Sequence, residues 1–303
     1  MRRDAIRCAS ITLALLSIGQ IAAAATEPLV LKPASKWYVD YGDDSCKLAR
    51  DFSSGKDAII LVVERFGPGD PFRLLLVGKS MIGFEEGYPA KVRFGPAETL
   101  QSITYFKGDL GKEKPAIIFR GSMRIAAATD DELKRLKAAP TNQILPYDPI
   151  LPERESAVTF LEIGRRGKRT TVLDTGSMGK PFTALRQCTD DLMKTWDVDP
   201  VKYAKQTRPA LPVKSPNTWF TDQAYPSAAI MKGRRGIVNF RLSVDETGKA
   251  TACHIQQSTS AKDFDGVVCK TLMRRARFDP ALDDGGKPMA SFYRSMIIFD
   301  IPQ

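Results

Sequence analysis

One stretch limits the fold more than any other: Gly236-Ile-Val-Asn-Phe-Arg-Leu-Ser-Val-Asp245, followed by Glu246-Thr-Gly-Lys249. Val238, Phe240, Leu242 and Val244 alternate with Ile237, Asn239, Arg241 and Ser243, so an extended chain here has one apolar face and one mostly polar face. That pattern belongs to a strand buried on one side. Asp245-Glu-Thr-Gly248 supplies turn chemistry, because Gly248 takes a positive φ without a Cβ clash. A second strand is expected over 249–257, with Thr251, Cys253 and Ile255 on a shared face. The two read as an antiparallel hairpin.

A helix is expected over 261–277, where Phe264, Val267, Val268, Leu272 and Ala276 fall on one arc at 3.6 residues per turn. Arg274, Arg275 and Arg277 suit the negative end of its dipole, and Pro280 bars continuation. Asp283-Asp-Gly-Gly-Lys-Pro288 is a turn, and 289–301 reads as a last, long strand. With a short helix before the hairpin, the unit is helix, hairpin, helix, strand.

These residues resemble the TonB C-terminal domain of Gram-negative envelope proteins. The marks are Tyr225-Pro226 with Ala228 and Ala229, Gly233, Gly236, Val244-Asp245, Gly248, Ser258, Arg274-Arg275-Ala-Arg277-Phe278-Asp-Pro280-Ala281 and Gly286-Lys-Pro288. They cover about a quarter of the chain, in family order and spacing. Two departures stand out. Ala276 occupies a position where the family usually has tryptophan, and Cys253 and Cys269 are additions. The resemblance implies a three-stranded antiparallel sheet and recognition of an extended peptide by β-strand addition to the last strand. It implies as partner an envelope or outer-membrane protein, such as a TonB-dependent receptor. Residues expected to carry such docking are Tyr225, Pro226, Phe292, Arg294, Met296 and Ile298.

The chain opens with Arg2, Arg3 and Arg7 before an uncharged run over 8–25 that ends Ala23-Ala24-Ala25. A basic start, an apolar centre and a small-residue end make a secretory leader cleaved near Ala25, which places the mature protein in the periplasm. The competing reading is an uncleaved inner-membrane anchor. Cys8 lies at the start of the run, where it has no lipidation context. Four cysteines then remain, Cys46, Cys188, Cys253 and Cys269. In an exported chain they are expected to form two disulfides, with three connectivities open. Facing positions on the second strand and the helix favour Cys253 with Cys269, leaving Cys46 with Cys188. No CxxC motif supports thiol redox catalysis.

The formal charge is +10, of which the leader's arginines and Asp4 account for two. A basic surface of this size is either solvated or attracts anionic wall or lipid polymers. Export argues against nucleic acid as a partner.

Residues 26–199 are expected to form a β-rich domain ending in a helix. Strands are expected over 57–64, 72–78, 91–94, 101–106, 116–120, 157–163 and 169–173, and a short helix over 130–139 capped by Thr129 or Asp130. The closing helix, 181–196, places Phe182, Leu185, Cys188, Leu192 and Trp196 on one face, where Cys188 can reach Cys46. No family is recognised there. The whole chain is therefore α+β: leader 1–25, β-rich domain 26–199, linker 200–218 and C-terminal domain 219–303.

Asp174-Thr175-Gly176-Ser177 reproduces one loop of an aspartic protease, whose chemistry needs two carboxylates sharing a proton. The chain has no second copy. A strand-to-helix turn, with Thr175 or Ser177 bonding free amides, is the simpler reading. His254 is the single histidine, which leaves no histidine cluster for a metal, and no phosphate-binding glycine motif precedes a helix. No cofactor and no catalysis are expected. The stretch 198–215, rich in Pro, Lys and Arg, reads as an extended, solvated connection reaching about 60 Å at ~3.1 Å per residue. That is short for an energy transducer crossing the periplasm. The expected function is a non-enzymatic periplasmic docking module.

Overall fold

The computed structural model describes residues 27–85, 87–109, 114–121, 123–139, 147–220, 225–259 and 261–301. The expected leader lies outside them. The N-terminal unit contains β1 (Leu29–Pro33), β2 (Tyr38–Tyr41), β3 (Cys46–Ser54), β4 (Asp57–Arg65), β5 (Arg73–Val77), β6 (Ala90–Phe94), β7 (Gln101–Ile103), β8 (Tyr105–Asp109) and β9 (Pro115–Phe119). After these come α1 (Asp130–Ala138), α2 (Pro152–Ala157), β10 (Leu161–Gly164), β11 (Thr171–Leu173) and α3 (Gly179–Lys194).

Hydrogen bonding runs in the order β7-β6-β10-β11-β1-β3-β4-β5-β9-β8, with β2 alongside β3. The two end strands, β7 and β8, are joined through Thr104 alone. The sheet is therefore rolled round until its ends meet. Its inner face carries Leu48, Phe52, Leu61, Val63, Leu74, Leu76, Ile117 and Phe119, all fully buried against Phe182, Leu185 and Leu192 of α3. Cys46 and Cys188 form a disulfide between β3 and α3, with Cα atoms 6.0 Å apart. This pair constrains a loop of well over 100 residues, which raises its entropic effect on the unfolded chain.

Most expected strands form. Residues 101–106 divide into β7 and β8, and the strand expected over 157–163 is confined to β10, because Pro152 starts the short helix α2 just before it. Helix α1 begins with a complete capping box, Thr129 and Glu132 each accepting the other's amide.

The stretch expected to be extended and solvated is folded instead. Asp199 caps α4 (Pro200–Lys205), accepting the Val201 amide at 2.8 Å. β12 (Leu211–Pro212) then pairs with β15 (Phe278–Asp279), and the Arg208 guanidinium donates to the Pro280 carbonyl at 2.9 Å. Proline content did not leave this segment free, because its neighbours found partners on the C-terminal unit.

That unit contains α5 (Ser227–Met231), β13 (Gly236–Val244), β14 (Ala250–Ser258), α6 (Ala261–Arg275), β16 (Ala281–Leu282), β17 (Pro288–Met289) and β18 (Ser291–Phe299). Its sheet is antiparallel in the order β14-β13-β18. Phe264, Val268 and Leu272 of α6, with Ala276 just after it, are fully buried against Val238, Phe240, Leu242, Val244 and Phe299. Cys253 and Cys269 join β14 to α6, with Cα atoms 5.5 Å apart. At the hairpin turn, the Asp245 carboxylate accepts the Thr247 and Lys249 amides, and Gly248 holds φ +81°. A Cβ on Gly248 would lie 1.9 Å from the Phe278 carbonyl oxygen.

Candidate docking site

The candidate site is built on β18 and the sheet face around it. Side chains alternate across a strand, so Phe292, Arg294, Met296 and Ile298 share one face, while Tyr293, Ile297 and Phe299 face α6. The first face lies against the N-terminal unit. Phe292, 7% exposed, stacks on Tyr203 of α4 at 5.1 Å and meets Trp196 edge-on at 5.2 Å. Arg241 of β13, the register partner of Arg294, sits over the Trp196 ring at 4.4 Å.

The loop after β4, residues 66–71, receives Arg294 of this face and Gln256 of β14. The Arg294 guanidinium donates to the Pro68 carbonyl at 2.6 Å. Gln256 of β14 donates to the carbonyls of Phe66 at 2.8 Å and Asp44 at 3.1 Å. Gly67 keeps φ +145°, and a Cβ there would lie 2.9 Å from the Arg294 guanidinium carbon. Beyond the strand, the Asp300 carboxylate is shared by Arg120 of the N-terminal unit and Arg235 of its own, each at 3.1 Å. The two units are thus tied through backbone carbonyls, aromatic rings and one shared carboxylate.

The sequence singled out Tyr225 and Pro226 together with the β18 residues, and the structure separates them. Tyr225 meets Phe264 and Phe299 edge-on at 5.8 and 5.3 Å, and its hydroxyl donates to the Arg234 carbonyl. Pro226 leads into α5. Both therefore belong to the α6 side of the sheet. Phe292 and Arg294 are engaged within the chain, Met296 is half-buried and Ile298 is 39% exposed. Sequence reading missed Trp196, Tyr203, Gln256 and the 66–71 loop as interface groups. Polar residues on a strand look solvent-facing until a second surface is seen opposite them.

Two strand edges of the C-terminal sheet have no strand partner among the described residues, that of β14 and that of β18. They differ in regularity. β14 meets β13 with two register shifts, whereas β18 runs beside β13 over nine consecutive pairs without one. Irregularity twists and protects an edge, and a straight edge offers an even row of amides and carbonyls. The second half of β18, residues 294–298, is also the less buried half.

A cleft of about 870 Å³ opens where the C-terminal unit overhangs the outer face of the rolled sheet. Its floor includes an apolar row in cross-strand register, Tyr38, Ala49, Val62, Leu75, Ile118 and Phe106. Beside it runs a row of alternating charge, Asp40, Lys47, Glu64 and Arg73. The buried Glu64 accepts from Ser45 at 2.7 Å and from the Arg73 guanidinium. Arg73 also donates to Gln257 across the interface. These charges are compensated in pairs, which makes the row a structural support for docking.

The protease-like loop lies elsewhere. The Asp174 carboxylate pairs with Lys32 at 2.8 Å, and that bond holds its carboxyl below the ordinary range. A proton-sharing aspartate requires a shift in the opposite direction for one member of the pair. Gly176 turns the chain with φ +61° into α3, and Met178 precedes the helix without a side-chain cap. Ser177 donates instead to the Ser156 carbonyl and Thr175 to Gly176, so neither caps the helix as expected. His254 is exposed on β14, its imidazole pushed below the ordinary range by burial of its surroundings and by Arg241. Among the described residues no group of His, Cys, Asp and Glu is placed to hold a metal ion.

Comparison with known families bears on the C-terminal unit. Residues 221–301 match the family described as Gram-negative bacterial TonB protein C-terminal. This segment is TonB-like. No curated protein matches the chain. The TonB-like core reaches beyond the matched residues, since Ala210 and Trp219 are buried in it. Trp219 meets Phe278 and Tyr293 edge-on at 5.7 Å, so the tryptophan of this core enters from upstream, while Ala276 is buried just after α6. No helix of the described residues is long and apolar enough to cross a membrane.

Proposed function

We propose that the protein is a periplasmic docking module, without catalysis, that captures an extended segment of an outer-membrane or other envelope protein by strand addition to β18. The observation that carries this reading is the unbroken nine-pair register of β18 on β13, with no strand on its second edge among the described residues. An added strand would gain its affinity from main-chain hydrogen bonds and its selectivity from alternate side chains. The two disulfides accord with export to an oxidising compartment. The TonB-like match supports a receptor of the TonB-dependent kind as the partner.

Proline substitution tests this directly. Successive amides of a strand point to opposite edges, so of Ser295 and Met296 one donates towards β13 and the other outward. Ser295→Pro and Met296→Pro are made separately, and the variant that keeps its thermal unfolding has lost only the outward amide. That variant is expected to lose capture of envelope proteins crosslinked in intact cells. Undiminished capture by it would sink strand addition.

A further inference from the structure

On the N-terminal unit, the turn between β5 and β6 meets the loop between β10 and β11. Ile82 is 62% exposed and Tyr88 46% exposed, two large side chains on the same connection between β5 and β6, with Gly83 and Tyr88 both lining a shallow hollow. The 3-10 turn Lys79–Gly83 places Lys79 and Ile82 three residues apart, where side chains of such a turn eclipse. The Lys107 ammonium donates to the Ile82 carbonyl at 3.3 Å. From the other loop, Arg166 lies over the Tyr88 ring at 4.9 Å and Lys168 borders the same hollow. Arg165 fastens the loops together, stacking on Phe84 at 4.7 Å and donating to the Ser80 carbonyl at 3.3 Å. Lys79, Lys107, Arg166 and Lys168 are all exposed, and Glu85 is the acid lining the hollow among the described residues.

Exposed cations alone suit any polyanion, and exposed apolar groups alone suit many surfaces. Together, two apolar side chains ringed by four cations match the boundary of a bilayer, where headgroups are anionic and the region just below them is apolar. We infer that this face rests on a membrane surface carrying anionic phospholipid, with Ile82 and Tyr88 entering the headgroup layer and the cations pairing with phosphates. The protein would then be held peripherally through its N-terminal unit.

Vesicle sedimentation of the full chain tests the inference, using phosphatidylcholine alone and the same lipid with a quarter phosphatidylglycerol. The expected result is binding to the anionic vesicles only, weakening with salt. Reversing Arg166 and Lys168 to glutamate is expected to lower binding tenfold or more, at about fivefold for each cation lost. Ile82→Ser is expected to lower it severalfold while leaving the salt dependence in place; the side chain is exposed, so circular dichroism should show an unchanged fold. Equal binding to both vesicles, no binding to either, or binding unaffected by the paired reversal would overturn the assignment. Full binding by Ile82→Ser, with loss on charge reversal, would also overturn it, because a soluble polyanion site needs no insertion.

Discussion

Glu132 accepts the amides of Thr129 and Asp148, each at 2.9 Å, and faces Arg124 while only 5% exposed. The Thr129 amide, with the Asp148 amide and Arg124 adding to it against burial, pulls its carboxyl from the ordinary 4.5 to about 2. A folded-state value below the unfolded one means that the stabilisation is present above pH 4.5 and is lost as pH falls towards 2. Denaturant midpoints measured from pH 7 to pH 2 are expected to fall across that window. Glu132→Gln should be less stable at neutral pH and show a shallower fall, since one amide loses its acceptor and the titrating group is gone. An acid profile identical to that of the parent would assign the window to other carboxylates.

At the scale of elements, the β13–β14 turn depends on a glycine twice over. Gly248 needs both its positive φ and the absence of a Cβ beside the Phe278 carbonyl, and the Phe278 amide donates to the Gly248 carbonyl at 2.9 Å. Gly248→Ala is expected to cost at least about 2 kcal/mol, the left-handed penalty plus displacement of β15, read as a lower denaturation midpoint. Such local chemistry is why the C-terminal unit was legible in the sequence. Alternation in β13, the Asp-Glu-Thr-Gly turn and the apolar arc of α6 each state their own structure. Of the disulfides, Cys253–Cys269 was legible for the same reason, because its cysteines sit on faces that must meet, and Cys46–Cys188 followed as the remaining pair. What escaped includes β1, β2 and the nine-residue β3, the first paired with β11 far along the chain and the third interrupted by Lys47, Arg50 and Asp51, and α2 and α4, each six residues long and held by neighbours. The straightness of the β18 edge also depends on register, which a single strand does not reveal.

For the molecule as a whole, docking of the two units rests on few contacts with large leverage. The Gln256 and Arg294 side chains supply three hydrogen bonds to carbonyls of Asp44, Phe66 and Pro68. At about 1 kcal/mol each, their removal in Gln256→Ala with Arg294→Ala is expected to cost about 3 kcal/mol in docking. Small-angle scattering should then show a larger radius of gyration with unchanged far-UV circular dichroism. An unchanged radius would mean that the aromatic contacts of Trp196, Tyr203 and Phe292, with the Arg120–Asp300 and Arg73–Gln257 pairs, suffice to hold the units.

The position of β18 between two bodies bears on how a bound peptide would be read. A strand laid along its open edge would turn alternate side chains towards α6 and towards the wall formed by the N-terminal unit. Its sequence would be inspected from both sides by surfaces of different origin. Exchanging the N-terminal unit for another would then change which peptides are accepted, with every residue of the TonB-like segment left as it is.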